Sequence, residues 1–239
     1  MDWTDYDAAL FDLDGVLTPT AQVHMSAWER MFTDYLASRD DAGELTPYRE
    51  SDYFDYIDGK PRYDGVRAFL ASRGIELPEG DPSDSTDQLT VCGLGNRKND
   101  AFNAVLAADG VAPYAGSVAL LDALPEHVQV AVVSSSKNAP AVLAAAGIAD
   151  RFGVVVDGQV AASEGLPGKP APDTFWRAAD RLDVPHDRAV VIEDAHSGVQ
   201  AGAAGGFGLV VGVDRGAGAD ELLASGADVV VSDLAELIP

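Results

Sequence analysis

Cations are what this chain has least of. Among its 239 residues stand 16 Lys and Arg against 39 Asp and Glu, a formal net charge of −23 at pH 7. A surface of that sign repels the phosphates of a nucleic acid and the headgroups of an anionic membrane, so neither is an expected partner. Cys92 is the only cysteine, which excludes an intrachain disulfide and leaves nothing to argue for an oxidising compartment. Also missing is any run of about 18 uninterrupted apolar residues. The first residues carry Asp2, Asp5 and Asp7 where a secretory leader has a basic stretch. The expectation is a soluble, cytoplasmic monomer.

Apolar residues are plentiful: 47% of the chain is hydrophobic, enough for one substantial core and a smaller second one. From Val128 onward short Val-rich runs alternate with Ala- and Leu-rich stretches of helical length, the pattern of strands buried on both faces by crossover helices. The spacing predicts strands over 8–13, 128–133, 154–156, 189–192, 209–213 and 229–231. Helices are predicted over 138–146, 173–182, 197–204 and 219–224, the first and last closed by Gly147 and Gly226. The fold class is therefore α/β with a parallel sheet.

Between 21 and 109 the Val-rich runs vanish, and Val23, Ala27, Met31 and Tyr35, with Trp28, Phe32 and Leu36, mark one helical face. This segment reads as a helical domain inserted after the first strand, leaving 1–20 and 110–239 as the sheet domain. The Asp-, Ser- and Pro-rich stretch 78–87 is expected as a surface loop, and Gly93 to Gly95 as a bend.

In parallel α/β sheets ligands collect beyond the carboxyl ends of the strands. Four such places share one theme. Asp12 and Asp14 follow the first strand; Ser134, Ser135 and Ser136 follow Val133; "GKPAPD" with Lys169 precedes a helix; Glu193 and Asp194 follow Ile192. Carboxylates hold Mg²⁺, an ammonium and hydroxyls hold phosphate oxygens, and an Asp can itself attack phosphorus while a second gives and takes protons. A calcium loop is the competing reading of the D-x-D-G run, but it needs oxygen ligands where Val16 and Val23 stand. Alone, Glu193 and Asp194 would be a solvated acidic pair, and Ser134 to Ser136 a helix cap with Asn138 as an alternative cap; their company reverses the first reading and is compatible with the second.

"FDLDGVLTPT", "VVSSSKN", "GKPAPD" and "VIEDAHSGV", in this order, resemble the four motifs of the haloacid dehalogenase superfamily. The resemblance implies a Rossmann-like core with an inserted helical cap, and a Mg²⁺-dependent phosphotransferase forming an aspartyl-phosphate. It implies Asp12 as nucleophile, Asp14 as general acid and base, Ser134 as phosphate ligand and Lys169 as charge partner. Glu193 and Asp194, with a carboxylate oxygen of Asp12 and the backbone carbonyl of Asp14, are implied metal ligands.

The insertion after the first motif resembles the β-phosphoglucomutase-like branch. There Thr20, His24, Arg62 and Lys98, the last two within or before "RKND", match cap positions implied to bind substrate, together with Ser135, Ser136, Lys137 and Asn138 in the sheet domain. The implied partner is a small phosphorylated sugar. The leading expectation is its hydrolysis by a phosphatase. Second comes a mutase interconverting β-glucose 1-phosphate and glucose 6-phosphate, and a non-catalytic sugar-phosphate sensor is the reading from another class. Two positions depart from the branch: Pro19 stands where an Asp is common, and Asp58 where the mutase has a lysine. Independently of any family, the only four lysines, Lys60, Lys98, Lys137 and Lys169, all lie within or beside these segments, and Lys60 is a candidate replacement for the cation absent at 58.

Overall fold

The structure is a computed structural model and describes residues 1–41, 43 and 45–239. It divides into two compact units, one formed by Met1–Thr20 with Val111–Pro239 and one by Ala21–Gly110.

The first unit is built on a parallel sheet of six described strands. They are β1 (Ala8–Phe11), β2 (Gln129–Val133), β3 (Val154–Val156), β4 (Ala189–Glu193), β5 (Leu209–Val213) and β6 (Val229–Val231). Their spatial order is β3-β2-β1-β4-β5-β6, all neighbours parallel. Strand order reverses at β1, which lies between β2 and β4, and this switch point opens a crevice at the carboxyl ends of the strands. The register sets Phe11 beside both Val132 and Ile192, so the residues that follow these strands emerge side by side.

Apolar alternation explains the burial. Ala8 and Leu10, Ala131 and Val133, and Ala189 and Val191 share one face and pack under Phe175, Ala178 and Ala179 of one crossover helix. The predicted first strand, 8–13, ends two residues early. Asp12 still donates its N–H to Ile192 O at 2.9 Å, and then Gly15, at φ +88°, turns the chain.

The helices in chain order are α1 (Thr20–Ala37), α2 (Glu50–Asp52), α3 (Arg62–Ser72), α4 (Val91–Asp109), α5 (Ala115–Ala123), α6 (Ala139–Ala145), α7 (Gly158–Glu164), α8 (Asp173–Leu182), α9 (His196–Ala204) and α10 (Ala219–Ala224). Helices α6, α8, α9 and α10 fall where the Ala- and Leu-rich stretches predict them. Periodicity gave no notice of α7: it is short, and it starts because the Asp157 carboxylate accepts the N–H groups of Gln159 and Val160.

The second unit is helical, as its periodicity predicts. Trp28, Met31, Phe32, Tyr35 and Leu36 on α1 are buried with Phe69 and Leu70 on α3 and Leu94 on α4. Rings stack through this core, Phe32 on Phe69 at 3.7 Å between centroids. The stretch 78–87 is irregular and mostly exposed, as expected. Gly93 to Gly95, expected as a bend, instead lie inside α4, capped by Thr90 Oγ1 accepting from Gly93 N at 2.9 Å. Their lack of side chains serves packing: a Cβ on Gly95 would stand 2.7 Å from the Tyr63 ring and one on Gly93 2.3 Å from Gln88 O. Among the described residues no helix is long and apolar enough to cross a membrane.

With 39 acidic and 16 basic side chains, repulsion among like charges outweighs the exposed ion pairs, and salt screens both. Raising NaCl from about 0.05 to about 0.5 M, where the Debye length falls below about 5 Å, should therefore raise Tm by several degrees in a thermal melt. A falling Tm would mean that attractive pairs dominate.

Candidate active site

Lys169 is the centre of the site. It is 4% exposed, and its ammonium donates to Asp12 Oδ1 at 2.5 Å, to Glu193 Oε1 at 2.5 Å and to Val133 O at 3.0 Å. Three strands thus deliver its three acceptors: β1 leads to Asp12, β2 ends at Val133 and β4 ends at Glu193. The other oxygen of Glu193 accepts the N–H of Ala195 at 3.0 Å at the start of α9, which leaves Glu193 anchored on both sides. Burial works against the Lys169 charge, but Asp12 and Glu193 outweigh it and hold the ammonium above the ordinary lysine range. Asp12 is held well above the usual carboxylate range, first by burial; Glu193 and Asp14 push the same way, against Lys169.

Asp12, Glu193 and Asp194 each present a carboxylate oxygen within 4.8 Å of the others. Glu193 and Asp12 are buried while Asp194 is half-buried, so the cluster has a closed and an open side. The packing is tight both between motifs and within one: a Cβ on Gly15 would fall 1.8 Å from Asp194 Oδ2, and one on Gly198 1.8 Å from Glu193 Oε1. A side chain at either position would displace the carboxylate, and at Gly15 the φ of +88° adds backbone strain. Hard oxygen donors converging from three carboxylates, with one ammonium among them, suit a small divalent cation.

Asp14 is turned differently. Its carboxylate accepts the Thr20 hydroxyl, and Thr20 Oγ1 is also 2.8 Å from Thr18 Oγ1. Thr20 is 1% exposed, so this residue, expected to bind substrate, is enclosed behind Asp14 as its support. On the far side of β1, Ser134 follows β2 and is buried; its Oγ accepts Ser136 N at 3.1 Å, and Ser136 Oγ accepts Asn138 N at 3.1 Å. These turns shape the loop 134–138, with Ser135, Ser136 and Asn138 half-buried and Lys137 exposed. Helix α7 braces it: Gly158 N donates to Ser136 O at 3.3 Å and Gln159 Nε2 to Lys137 O at 3.2 Å.

The remaining expected residues belong to the helical unit. Lys98 is 3% exposed; its ammonium meets His24 Nδ1 and lies 5.1 Å from the ring centroids of both Trp28 and Phe102. His24 stacks on Phe102 at 4.0 Å. The Lys98 charge is therefore enclosed by aromatic faces inside the unit, where cation–π attraction and a ring nitrogen stand in for water. Arg62 donates to Asn99 Oδ1 at 2.6 Å, and burial holds its guanidinium below the usual arginine range. Lys60 donates to Tyr56 O at 2.8 Å. Of the four lysines, then, only Lys169 is part of the acidic cluster.

Sequence reading passed over the residues that hold the Asp14–Leu17 turn. Arg215, Ser117 and Tyr114 bond the carbonyls of Gly15, Val16 and Leu17 respectively. Arg215 was findable, since it follows β5 and the rule of looking beyond strand ends applies there too; Ser117 and Tyr114 sit in or before a helix with no such signal.

A Rossmann-like sheet whose switch point gathers a buried Lys, three carboxylates and a serine-rich loop defines a phosphoryl-transfer enzyme. The family profile of haloacid dehalogenase-like hydrolase matches residues 6–206, and the chain belongs to that family, in its β-phosphoglucomutase-like branch. It is 52% identical over 239 residues to a beta-phosphoglucomutase of Mycobacterium bovis, covering 97% of this chain and 91% of the relative. It is 30% identical over 210 residues to a fructose-1-phosphate phosphatase of Escherichia coli, covering 86% and 95%. A crystal structure of beta-phosphoglucomutase from Clostridium difficile shares the fold, with TM-score 0.75 at 24% identity over 97% of this chain and 93% of that one. The protein is accordingly an enzyme of the phosphatase and phosphotransferase kind, which sets the sensor reading aside.

Gly15 is the sharpest test of this geometry. Replacing it with Ala puts a methyl into the Asp194 carboxylate at a φ of +88°. Gly15→Ala should cut kcat about a hundredfold or more, by analogy with the 1 Å misplacement of a reacting group. Steady-state kinetics on a generic phosphate ester decides, and near-normal turnover would mean that Asp194 has room to move.

Proposed function

We propose that this enzyme is a Mg²⁺-dependent β-phosphoglucomutase working through an aspartyl-phosphate on Asp12. The observation that carries the proposal is 52% identity to a protein of that name along 97% of the chain. The site supports the same reading in its particulars.

Asp12 stands at the carboxyl end of β1 with one oxygen on Lys169. Its other oxygen attacks phosphorus as the bond to the sugar oxygen breaks, and Asp14 gives a proton to that oxygen. Thr20 holds the Asp14 carboxylate during this exchange. Ser134 and the loop 134–138 offer hydroxyls and backbone N–H groups to the phosphate oxygens. Lys169 offsets the charge that builds on Asp12 and its phosphate, and Glu193 keeps the ammonium in place. Asp12, Asp194 and the Asp14 carbonyl would hold Mg²⁺, with Glu193 completing the acidic cluster. When bound, the ion supplies charge neutralisation to the phosphate and orients it.

In the return half Asp14 takes the proton of an acceptor hydroxyl as that oxygen attacks phosphorus and the bond to Asp12 breaks. With the C6 hydroxyl of β-glucose 1-phosphate as acceptor the product is the 1,6-bisphosphate. Bound the other way round, the bisphosphate returns its C1 phosphate to Asp12 and leaves as glucose 6-phosphate. The helical unit is proposed as the cap, with Arg62, fixed by Asn99, as the grip on the sugar phosphate not being transferred.

A second reading, hydrolysis of a small sugar phosphate, is favoured by Asp58 where the mutase has lysine and by the 30% identity to a fructose-1-phosphate phosphatase. Water then takes the place of the acceptor hydroxyl. One assay separates the two: β-glucose 1-phosphate, Mg²⁺ and a trace of glucose 1,6-bisphosphate, with glucose 6-phosphate and free phosphate followed together. Glucose 6-phosphate without phosphate supports the mutase; phosphate in excess supports the hydrolase.

Asp12→Asn should lower turnover about a thousandfold or more in either case, with the far-UV spectrum unchanged. Retained activity would remove Asp12 as nucleophile. Because the proposed ion discharges Asp12 and Asp194, EDTA should abolish activity, and added Mg²⁺ should raise Tm in the unsubstituted protein but not in Asp194→Asn. Equal Tm increments in the two proteins would place the ion elsewhere.

A further inference from the structure

Three successive carbonyls beyond Asp14 are each held from elsewhere in the sheet unit: Gly15 O by Arg215 Nε at 2.9 Å, Val16 O by Ser117 Oγ at 2.7 Å and Leu17 O by Tyr114 N at 2.9 Å. Of the three donors only Arg215 is charged, and it does more than hold one carbonyl. Its Nη1 donates to Ser232 O at 2.9 Å beyond β6, and its guanidinium carbon lies 4.0 Å from the centre of the Tyr114 ring. Two carbonyls and a ring face therefore fix the guanidinium plane. The remaining nitrogen, Nη2, is buried and has no hydrogen-bond partner among the described residues. An enclosed donor without a bond costs stability, so packing alone is a poor reason for an arginine here.

The carbonyl it holds is a significant one. Gly15 is the residue whose missing Cβ lets Asp194 Oδ2 approach, and its Cα joins the peptide that Arg215 holds to the peptide that carries the Asp14 carbonyl, so fixing the one restrains both the Asp194 cradle and the Asp14 carbonyl. Tyr114 ties Arg215 to the same cluster. Burial pushes the pKa of its phenol up, while Arg215 lowers it and Asp194 raises it, so both charges act on one ring.

We propose that Arg215 is a positioning residue of the phosphoryl-transfer site, clamping the Gly15 carbonyl so that Asp194 and the Asp14 carbonyl keep the geometry that receives the divalent ion. The inference rests on the metal assignment made above, and its test separates the two. Charge and position predict opposite signs. A cation near a metal site repels the ion, so removing Arg215 for its charge alone would tighten binding; removing a clamp loosens the ligands and weakens it.

The experiment is calorimetric titration of the full chain with Mg²⁺ alone, for the unsubstituted protein, Arg215→Met and Arg215→Lys, each checked for fold by far-UV circular dichroism. Arg215→Met should weaken Mg²⁺ binding about tenfold, the effect typical of residues that orient metal ligands. Arg215→Lys keeps the charge and at most one of the two carbonyl bonds, so it should fall between, and it carries the test if the Met variant does not fold. The kcat values should fall in the same order, with KM for the phosphate ester within about twofold of the original. Folded variants that bind Mg²⁺ as tightly as, or more tightly than, the unsubstituted protein would overturn the clamp while leaving the metal assignment intact. No Mg²⁺ binding by the unsubstituted protein would overturn the metal assignment and the clamp with it.

Discussion

Two carboxylates and an ammonium share a nearly dry space at the end of this sheet, and the rest of the site depends on that pairing. Neither Asp12 nor Glu193 could be buried alone, because an isolated charge out of water costs far more than a fold of this size can absorb. Lys169 makes the burial of both possible, and each of them in turn keeps Lys169 charged. The arrangement is held by need: removing any one of the three strands the others. Asp194 stands half-buried at the edge of this triad and is the most exposed carboxylate of the acidic cluster.

Sheet topology supplies the coincidence that the triad requires. Placing β1 between β2 and β4 brings together chain positions that are far apart in sequence, and the register aligns the strand ends. Glycine then does what side chains cannot. At Gly15 the first motif comes within reach of the Asp194 carboxylate, and at Gly198 the last motif folds closely on its own Glu193, so the site is packed through missing atoms as much as through present ones.

Much of this was legible in the sequence. The Val-rich runs, the change of texture at 21–109, and Asp12, Asp14, Lys169, Glu193 and Asp194 were readable because each follows from local composition plus the rule that ligands lie beyond strand ends. Two kinds of residue were not. Thr20 and Lys98 were read as substrate-facing because residue type says nothing of direction; the structure encloses one behind Asp14 and the other among Trp28, Phe102 and His24. Arg215, Ser117 and Tyr114 act through backbone carbonyls, which any sequence offers at every position, so their partners leave no mark in it. Gly93 to Gly95 misled for a related reason: glycine pairs signal turns by propensity, whereas here they admit a neighbouring ring to a helix.

The place of β1 in the sheet also has a consequence for how the chain comes to be folded. Ala8 pairs with Gln129 on one side and with Ala189 on the other, so the central strand precedes both of its neighbours by a long stretch of chain. On the ribosome β1 emerges long before either partner, an apolar strand with both edges bare. The helical unit, complete within Ala21–Gly110, can condense in that interval from contacts of short range, while closure of the sheet must wait for loops of high contact order. The insertion thus sets the order of events during synthesis: the segment between β1 and β2 is ready before the sheet, and the strand that leads to Asp12 is paired on both sides only after Ala189–Glu193 has been made.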